Sequence, residues 1–380
     1  MNKKKLKIIH TPARFYPDIG GVNKYVLDLS EQLVKTGHTV KVICANEPNS
    51  DLKNINGINI RRLKYLFKVT NTNITLTLPF EILRSKFDII HTHMPTPWSA
   101  DISILIGKIM KKKTVITIHN DMDKTSFLSK IITEIYLHTI FLLSLSLVDK
   151  IIIVNDEWEK SFSNTSNILK RYKNKISFLP NGVNNEFFKP LNIRREKDTV
   201  LFVSVLDKHH KFKGLDYLLK AIEIVKESIP DIKLIIVGEG ELKKFYINIA
   251  KDLNIEKNVE FLGEKKQKDL VKLYSKSSLF VLPSIEIEGF GIVAIESMAC
   301  KTPVVVTNIV GAAKDIKENN SGLIVPPKNL QALAESIIKI LKNPKLSEKM
   351  GQNGAELVKE RYSWKKIAKS VENTYEKITK

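Results

Sequence analysis

Short runs rich in Val, Ile and Leu alternate along the chain with longer segments in which apolar residues recur every three or four positions. The short runs predict β-strands and the longer segments predict amphipathic helices. In the first half the predicted strands are Leu6–His10, Val40–Cys44, Ile89–His93, Val115–His119, Ile151–Asn155 and Ile176–Pro180. In the second half they are Thr199–Leu206, Leu234–Val237, Glu260–Leu262, Leu279–Leu282, Val304–Val306 and Leu323–Val325. This alternation predicts an α/β protein with parallel, doubly wound sheets.

Three helical segments have a clear apolar face. The first lies between the first two strands, ends at Gly37, and has as its face Val22, Tyr25, Val26, Leu29 and Leu33. The second opens the second half of the chain, with Leu215, Leu218, Leu219, Ile222 and Val225. The third lies within Tyr362–Lys380, with Trp364, Ile367, Ala368, Val371, Tyr375 and Ile378.

The chain of 380 residues is longer than one hydrophobic core usually supports, so two domains are expected. The segment Asn184–Asp198 is polar, contains Pro190, and is typical of a linker. We therefore expect an N-terminal Rossmann-like domain over residues 1–190 and a C-terminal one over 191–361, facing each other across a cleft.

Composition narrows the class of protein. Hydrophobic residues make up 43% and charged residues 27% of the chain, which is ordinary for a soluble globular protein. The two cysteines, Cys44 and Cys300, are far apart and belong to no metal-binding spacing. This argues against a disulfide scaffold or structural zinc and fits a reducing cytosol.

The net charge of +20 has three interpretations. It can be a lysine enrichment with no specific role, or it can attract an anionic membrane surface or a lipid-linked acceptor. Nucleic-acid binding is disfavoured, because no recognised binding motif accompanies the charge. Lysine-rich clusters at Lys3–Lys5, Arg61–Lys68 and Lys108–Lys113 all lie in the first half.

The start of the sequence leads directly into a strand, so no secretory signal is predicted. The most apolar stretch, Ile135–Val148, spans 14 residues, whereas a membrane-spanning helix needs about 20. A buried or membrane-surface helix is the better interpretation. We expect a cytoplasmic protein with only peripheral contact to the inner face of the membrane.

A glycine-rich turn follows the strand Leu279–Leu282, and a helix is predicted to begin at about Gly291. Glu288 lies on the turn and Glu296 lies inside the helix. Free amides at a helix N-terminus favour phosphate or sugar oxygens, and glycines let a ligand approach the backbone closely. Two carboxylates so placed can hold opposite ends of a nucleotide sugar, although an exposed loop Glu and a solvated helix Glu are the simpler alternative.

The surrounding sequence, Pro283-Ser-Ile-Glu-Ile-Glu-Gly-Phe-Gly-Ile-Val-Ala-Ile-Glu-Ser-Met-Ala299, resembles the signature of glycosyltransferase family 4, retaining transferases with the GT-B fold. The resemblance implies that Glu288 contacts hydroxyls of the donor sugar and Glu296 the nucleotide ribose. It places the donor beside Gly289, Phe290, Gly291 and Ile292. It also implies that the last helix, 362–380, crosses back to the N-terminal domain.

Two motifs in the first half extend the resemblance. Gly20-Gly21 precedes the first helix, where paired glycines allow backbone amides to meet a diphosphate, although a plain turn has the same sequence. It resembles the family's P-x-x-G-G element, which borders the donor phosphates. His119 ends a strand, where the ligand crevice of an open α/β sheet lies, and resembles the family's histidine beside the reacting carbon.

A lysine–glycine pair, Lys213-Gly214, precedes a helix and resembles the family's K-G, whose lysine contacts the diphosphate. The chain departs from the family's G-R-L at the preceding strand end, where Val205 replaces the arginine. The nearby Lys208 and Lys211 can supply the missing charge or form an ordinary solvated loop.

Two further features of the sequence have a structural alternative. His91 and His93 share one face of a strand, a spacing that suggests a metal, but no third ligand is obvious, so acceptor-side lining or a structural role is favoured. Lys301 stands where a helix-ending glycine is common. A left-handed lysine costs about 1–2 kcal/mol, so this helix is expected to end differently.

Together with this resemblance, the residues imply a metal-independent, cofactor-free, retaining glycosyltransferase that moves a sugar from a UDP- or GDP-linked donor to an acceptor hydroxyl. Polysaccharide precursors, lipid-linked glycans and glycolipid heads are the expected acceptors, and no nucleic acid is expected as a partner. Two alternatives stay open: a nucleotide-sugar epimerase of the same fold, and a non-catalytic, basic membrane- or nucleic-acid-binding protein.

Overall fold

The computed structural model describes residues 4–18, 20–69, 72–122, 127–155, 158–286 and 288–380. Ile19 and Ile287, which belong to two of the motifs above, and Lys3 lie outside the described residues. The chain forms two compact units. Unit 1 comprises residues 1–182 and 364–380, and unit 2 comprises residues 183–363. The boundary falls within Asn181-Gly182-Val183, earlier than the expected position after residue 190.

Unit 1 is built on a parallel sheet. Its strands are β1 (Lys7–Thr11), β2 (Thr39–Ala45), β3 (Asn54–Ile55), β4 (Ile58–Leu63), β5 (Phe67–Val69), β6 (Thr72–Ile74), β7 (Ile89–Met94), β8 (Lys113–Ile118), β9 (Lys150–Ile153) and β10 (Ile176–Phe178). Eight of them form one sheet in the order β10-β9-β8-β7-β1-β2-β4-β3, and β5 and β6 form a separate hairpin. The described pairings of this sheet are parallel except that of β3 with β4.

The helices of this part of the chain are α1 (Gly21–Lys35), α2 (Leu78–Leu83), α3 (Pro97–Ile109), α4 (Phe127–His138), α5 (Ile140–Leu147), α6 (Trp158–Ser161) and α7 (Ser166–Leu169). In α1, the predicted apolar face is confirmed at Tyr25, Val26, Leu29 and Leu33, which are buried. The helix ends before Gly37, whose positive φ of 93° reverses the chain into β2.

Unit 2 contains an all-parallel sheet. Its strands are β11 (Thr199–Val203), β12 (Lys233–Val237), β13 (Val259–Phe261), β14 (Leu279–Leu282), β15 (Val304–Thr307) and β16 (Gly322–Val325). Its helices are α8 (Leu215–Ser228), α9 (Lys243–Asp252), α10 (Gln267–Lys276), α11 (Ile292–Ala299), α12 (Ala313–Glu318), α13 (Leu330–Leu341) and α14 (Pro344–Leu357). The strand order is β13-β12-β11-β14-β15-β16.

Helices cover both faces of this second sheet, which explains the uninterrupted apolar runs of its strands. Along β11, Leu201 and Val203 enter one hydrophobic core, whereas Val200 and Phe202 enter the core on the opposite face. All six strands predicted for the second half are present. The prediction of an α/β protein with parallel sheets in two domains is confirmed.

The last helix, α15 (Trp364–Thr379), belongs to unit 1 and packs against α1. Trp364, Ile367, Val371 and Tyr375 are buried there, as the apolar face predicts. A buried carboxylate, Glu372, accepts a hydrogen bond from the Thr36 hydroxyl in the loop that follows α1. The expectation that this helix returns to the N-terminal domain is confirmed.

The end of α11 differs from the expectation for Lys301. This residue does adopt the left-handed conformation, with φ of 62°, so the prediction that the helix would end differently is wrong. The Lys301 amide donates to the Met298 carbonyl at 2.9 Å, and the Thr302 amide donates to the Ser297 carbonyl at 3.1 Å. These two bonds form a Schellman motif, which satisfies carbonyls at the helix end and offsets the strain of a side chain in this conformation.

Candidate functional site

The glycine-rich turn of unit 2 joins β14 to α11. Gly291 caps the helix with φ of 81°, and a Cβ added there would lie 2.6 Å from a methyl group of Val310. Both the backbone conformation and the lack of space therefore require glycine. The helix begins at Ile292, as predicted, and its first amides have no acceptor within the helix.

A neighbouring loop, residues 308–312, supports this turn. Gly311 approaches so closely that a Cβ there would lie 2.3 Å from the Gly289 carbonyl oxygen. Three backbone hydrogen bonds join the two segments: Glu288 N–H to Ile309 O at 3.2 Å, Gly311 N–H to Glu288 O at 3.0 Å, and Ala312 N–H to Phe290 O at 3.2 Å. This support was not predicted, although Gly311, just after a predicted strand, is a sequence signal that could have indicated it.

A second loop brings Lys213 to the turn. Gly214 has φ of 75°, and a Cβ there would lie 2.1 Å from the Pro283 carbonyl oxygen. The Ile285 amide donates to the Phe212 carbonyl at 2.7 Å, so the two loops are in direct contact. The lysine is thereby fixed at the carboxyl ends of β11 and β14, where ligands of open α/β sheets bind.

The two predicted site residues Lys213 and Glu288 form an ion pair. The Lys213 Nζ donates to Glu288 Oε2 at 2.8 Å, and each side chain is 13% exposed. A lysine and a glutamate held side by side can give up their mutual contact when a ligand binds. The lysine then binds an anionic group of the ligand, and the glutamate accepts hydrogen bonds from its hydroxyl groups. An anionic diphosphate suits the lysine, and sugar hydroxyls suit the carboxylate.

The other predicted glutamate, Glu296, lies inside α11 and is buried. The hydroxyl of Tyr274, in α10, donates to Glu296 Oε2 at 3.2 Å. Burial, and then the nearby carboxylate, raise the pKa of Tyr274 well above its ordinary value, so the phenol keeps its proton. Tyr274 therefore orients the carboxylate, a role that the sequence analysis did not identify.

The lysines offered as replacements for the family arginine have other neighbours. The Lys211 ammonium lies 5.4 Å from the ring centroid of Phe245, in α9. His210, between Lys208 and Lys211, contacts Asp207 at 2.8 Å. Whether Lys208 or Lys211 replaces the arginine missing at Val205 stays a prediction.

The paired glycines of unit 1 form the N-terminus of α1, with Gly20 as the cap and Gly21 as the first helical residue. A Cβ at Gly21 would meet no described atom within 4 Å, and one at Gly20 would meet only side-chain atoms of Asn23 and Asp18 at 3.7 and 3.8 Å. Packing within the protein therefore does not require glycine at these positions. Open space at a helix N-terminus is suited to an approaching anion, and here the Gly20 amide already donates to a carboxylate, Asp18 Oδ1, at 3.3 Å.

His119 follows β8 and belongs to a group of four buried histidines, with His10, His91 and His93. His10 Nδ1 lies 3.1 Å from His93 Nε2, and His93 Nδ1 lies 3.3 Å from His119 Nε2. Burial lowers the pKa of His10 and of His119 to about 3, and lowers the pKa of His91 and His93 well below 6.5. At neutral pH all four rings are uncharged.

Three of these rings, from His10, His91 and His93, have nitrogens within 4.8 Å of one another. The sequence analysis did not identify His10 as this third member. Both nitrogens of His91 are already used, by Tyr375 at 2.6 Å and Thr117 at 2.7 Å, and both nitrogens of His93 face other rings. This arrangement suits a hydrogen-bonded network better than a metal, which needs several lone pairs aimed at one point.

Unit 1 also has an exposed apolar surface, which we define by Ile131, Ile132 and Ile135 of α4 and Ile140 and Leu143 of α5. Ile135 is the most exposed of them, at 61%. One stretch, 130–147, satisfies a length and hydropathy criterion for a membrane-spanning helix, and 28% of it is buried. Within the described residues, however, it consists of two helices, α4 and α5, that meet at Thr139.

Comparison with known proteins gives two family matches that together cover most of the chain. The family described as glycosyltransferase family 4 matches residues 19–187, and the family described as glycosyl transferases group 1 matches residues 183–357. An uncharacterised glycosyltransferase of Methanocaldococcus jannaschii is 27% identical over 379 residues, which cover 94% of each chain. The phosphatidyl-myo-inositol mannosyltransferase of Mycobacterium leprae is 24% identical and covers 94% of this chain and 93% of its own.

Solved structures show the same fold. The Anabaena protein HepE, in complex with UDP-glucose, superposes with a TM-score of 0.75 over 98% of this chain and 100% of its own, at 17% identity. The two parallel-sheet units, the signature turn and these matches agree with one another. The chain belongs to the group 1 glycosyltransferases of family 4 and has the GT-B fold.

Proposed function

We propose that this glycosyltransferase transfers a sugar, with retention of configuration, from a UDP- or GDP-linked donor to a hydroxyl acceptor. The observation that carries the proposal is the Lys213–Glu288 ion pair at the turn before α11. Its cation matches the departing diphosphate, and its anion matches the hydroxyls of the transferred sugar. The UDP-glucose bound to the structural relative HepE supports a nucleotide sugar of this kind.

The proposed roles follow from charge and position. Lys213 and the amides at the start of α11 stabilise the negative charge that grows on the leaving diphosphate. Glu288 orients the sugar through its hydroxyls, with Gly289 and Phe290 beside it. Glu296 accepts hydrogen bonds from the ribose.

In unit 1, the amides at Gly20 and Gly21 border the phosphates, and His119 lies beside the reacting carbon. Because this set supplies its own cations and amides, we propose that transfer needs no metal ion or cofactor. The departing phosphate then accepts the proton of the acceptor hydroxyl, so the protein does not have to supply a general base.

The acceptor is proposed to be a lipid-linked glycan, a glycolipid head or a polysaccharide precursor at an anionic membrane surface. The exposed apolar surface of α4 and α5 supplies side chains that can enter the lipid interface. The net charge of +20 adds attraction to anionic lipids. The mannosyltransferase relative, whose name specifies phosphatidyl-myo-inositol, supports an acceptor of this class.

The donor is tested by thermal-shift screening against UDP, GDP and their sugar conjugates, with NAD as an unrelated dinucleotide. Stabilisation by a uridine or guanosine compound supports the proposal, and stabilisation by NAD alone contradicts it. Transfer of a labelled sugar to a supplied acceptor separates this function from an epimerase, which would convert the donor without an acceptor. A donor consumed with no glycosylated product would argue for the epimerase.

Membrane attraction is tested by sedimentation with vesicles of phosphatidylcholine alone or with phosphatidylglycerol. We expect binding to the anionic vesicles and weaker binding by the double variant Ile135→Ser with Leu143→Ser. Phe245→Ser removes an exposed aromatic side chain from unit 2 and serves as the control. Equal binding by all three proteins would exclude the α4–α5 surface as the contact.

A further inference from the structure

Three buried histidines of unit 1 form a row of hydrogen-bonded rings, the histidine chain. His10 on β1 contacts His93 on β7, and His93 contacts His119 just after β8, through ring nitrogens at 3.1 and 3.3 Å. Successive rings are inclined by 22° and 28°. The chain thus links the interior of the sheet to the residue that is expected beside the donor sugar.

A neutral imidazole carries one proton, so it donates through one nitrogen and accepts through the other. Three neutral rings joined by two hydrogen bonds therefore have only two arrangements. In one, every ring is protonated on Nδ1 and the bonds run from His10 through His93 to His119. In the other, every ring is protonated on Nε2 and the bonds run in the opposite direction.

The free end of the chain distinguishes the two arrangements. His10 Nε2 is buried and has no hydrogen-bond partner among the described residues. With protons on Nδ1, this atom is an unused acceptor. With protons on Nε2, it becomes a buried N–H without an acceptor, a defect that folded proteins rarely contain. The Nδ1-protonated arrangement is therefore favoured.

We propose that His10 and His93 are positioning residues that hold His119 as its Nδ1–H tautomer, with Nε2 occupied by the bond from His93. His119 then serves the reaction as a neutral hydrogen-bond donor to an oxygen of the donor sugar, and its ring is not available as a proton acceptor. This inference rests on the proposed function, in which the departing phosphate receives the acceptor proton.

The tautomers can be read directly in the ligand-free protein. Long-range ¹H–¹⁵N spectra of the full chain labelled in its histidine rings distinguish Nδ1–H from Nε2–H, and single substitutions assign the eight histidines. We expect His10, His93 and His119 all as Nδ1–H at pH 7. An Nε2–H form or a charged ring at His119 would overturn the proposal, whether or not the protein binds a nucleotide sugar.

Two substitutions of His93 test whether the histidine chain sets the tautomer of His119. His93→Leu removes the donor to His119, so the His119 tautomer is expected to change to Nε2–H or to a mixture. His93→Asn places an amide donor near the position of Nδ1 and is expected to restore the Nδ1–H form. His91→Leu is the matched control, because it removes an equally buried ring that contacts Thr117 and Tyr375. It should leave the His119 tautomer unchanged.

The kinetic consequence is specific. His93→Leu is expected to lower kcat for sugar transfer about tenfold, since one oriented hydrogen bond is lost. The affinity for the free nucleoside diphosphate, which contains no sugar, should not change. The positioning role of the histidine chain would be refuted if the His119 tautomer were unchanged in folded His93→Leu. It would also be refuted if His93→Asn lost as much kcat as His93→Leu. Absence of transfer by the wild-type protein would instead refute the proposed function.

Discussion

The buried histidines of unit 1 and the Lys213–Glu288 pair of unit 2 represent two ways of placing polar groups at the carboxyl ends of parallel strands. The histidines are uncharged, enclosed and hydrogen-bonded to one another. The ion pair consists of full charges that are partly exposed and neutralise each other. The histidines are bonded mainly to one another, whereas the ion pair can exchange its internal contact for contacts with a ligand.

The two groups therefore suit different tasks: the histidines can orient a ligand, and the ion pair can stabilise charge on it. A neutral network keeps its geometry because burial makes ionisation of its members costly. A paired lysine and glutamate remain charged and can respond to an anion. The comparison therefore predicts that unit 1 is sensitive to protonation and that unit 2 is sensitive to the loss of a charge.

The largest effect is expected from acid. The pKa of His10 and of His119 is about 3 in the folded protein, below the ordinary 6.5, so the unfolded chain binds the protons first. Stability is complete above pH 6.5 and is lost as the pH falls toward 3. Between pH 6.5 and 5 each histidine should cost about 2 kcal/mol, or about 4 kcal/mol together. Hydrogen exchange resolved along the chain at pH 7 and pH 5 measures this loss.

Unit 2 provides the internal reference for that experiment. Its two histidines, His209 and His210, lie in one loop and are not buried. We expect unit 2 to keep its protection at pH 5. His10→Asn, which cannot titrate, should remove the share of the acid sensitivity of unit 1 that belongs to His10, about 2 kcal/mol. Equal loss of hydrogen-exchange protection in both units at pH 5 would contradict this difference between the units.

The next effect concerns the ion pair. Lys213→Gln removes the proposed diphosphate cation and should lower kcat/KM by a factor of about 10²–10³, the usual cost of one lost stabilising donor. Glu288→Gln should reduce sugar transfer to a similar extent and affect the binding of free nucleotide less. Steady-state kinetics with the donor found by screening measure both effects.

A matched control exists in the same unit. Lys233, the first residue of β12, pairs with Glu260 of β13 at 2.7 Å. Lys233→Gln removes an ion pair of similar length without touching the turn, so kcat/KM should be unchanged. A comparable loss of kcat/KM in Lys233→Gln would mean that Lys213→Gln lowers kcat/KM by destabilising unit 2 and not by removing a ligand contact.

A smaller effect is expected at Asp101, a carboxylate of unit 1 that can ionise at neutral pH. It accepts hydrogen bonds from Ser144 at 2.6 Å and Tyr136 at 3.2 Å, and burial raises its pKa to about 6. The folded protein therefore binds the proton more tightly, and stability falls as the pH rises from about 4 through 6. Asp101→Asn keeps an acceptor and should stabilise the protein at pH 7 by up to about 3 kcal/mol.

Urea unfolding at pH 4 and pH 7 measures that gain. The difference between Asp101→Asn and the wild type should be small at the lower pH and largest at the higher one. Asp51→Asn, at an exposed position, should show no such trend. A gain that is independent of pH would contradict the assignment to ionisation.

The smallest effect is expected from Tyr274. Tyr274→Phe removes only the hydroxyl that donates to Glu296, so the carboxylate loses its orientation. We expect about tenfold weaker binding of the nucleoside diphosphate, corresponding to one hydrogen bond. Calorimetric titration gives the affinity, and Tyr246→Phe, at another buried tyrosine of unit 2, provides the control. Equal affinity in wild type and Tyr274→Phe would assign the hydroxyl a purely structural role.

Most of the fold could be predicted because buried parallel strands are uninterrupted apolar runs. The strands β3 to β6 were not predicted, and in β4 the buried Ile58, Ile60 and Leu63 are separated by Asn59 and two arginines. Near the sheet edge, a strand carries polar residues that obscure its pattern. Lys301 also escaped prediction, because hydrogen bonds around the helix end outweigh the local preference of the residue.

Candidate site residues were predictable where a short sequence motif marks them, whereas most contacts between distant segments were not. The signature turn places Glu288, Gly291 and Glu296 within one segment, and the resemblance identified them. His10 and His93 are 83 residues apart and meet because β1 lies beside β7 in the sheet. Tyr274 reaches Glu296 in the same way, from a different helix. The spacing of residues along the sequence does not indicate which strands are neighbours in the sheet or which helices pack together.

The position of α15 determines when the first unit of the chain can be completed. Its Tyr375 reaches His91 across 284 residues, and its Glu372 reaches Thr36 across 336 residues. During synthesis, therefore, all of unit 2 emerges from the ribosome before unit 1 can acquire its final helix. Unit 2 can fold on the nascent chain, whereas the surface of α1 that α15 will cover must wait until α15 itself has been synthesised.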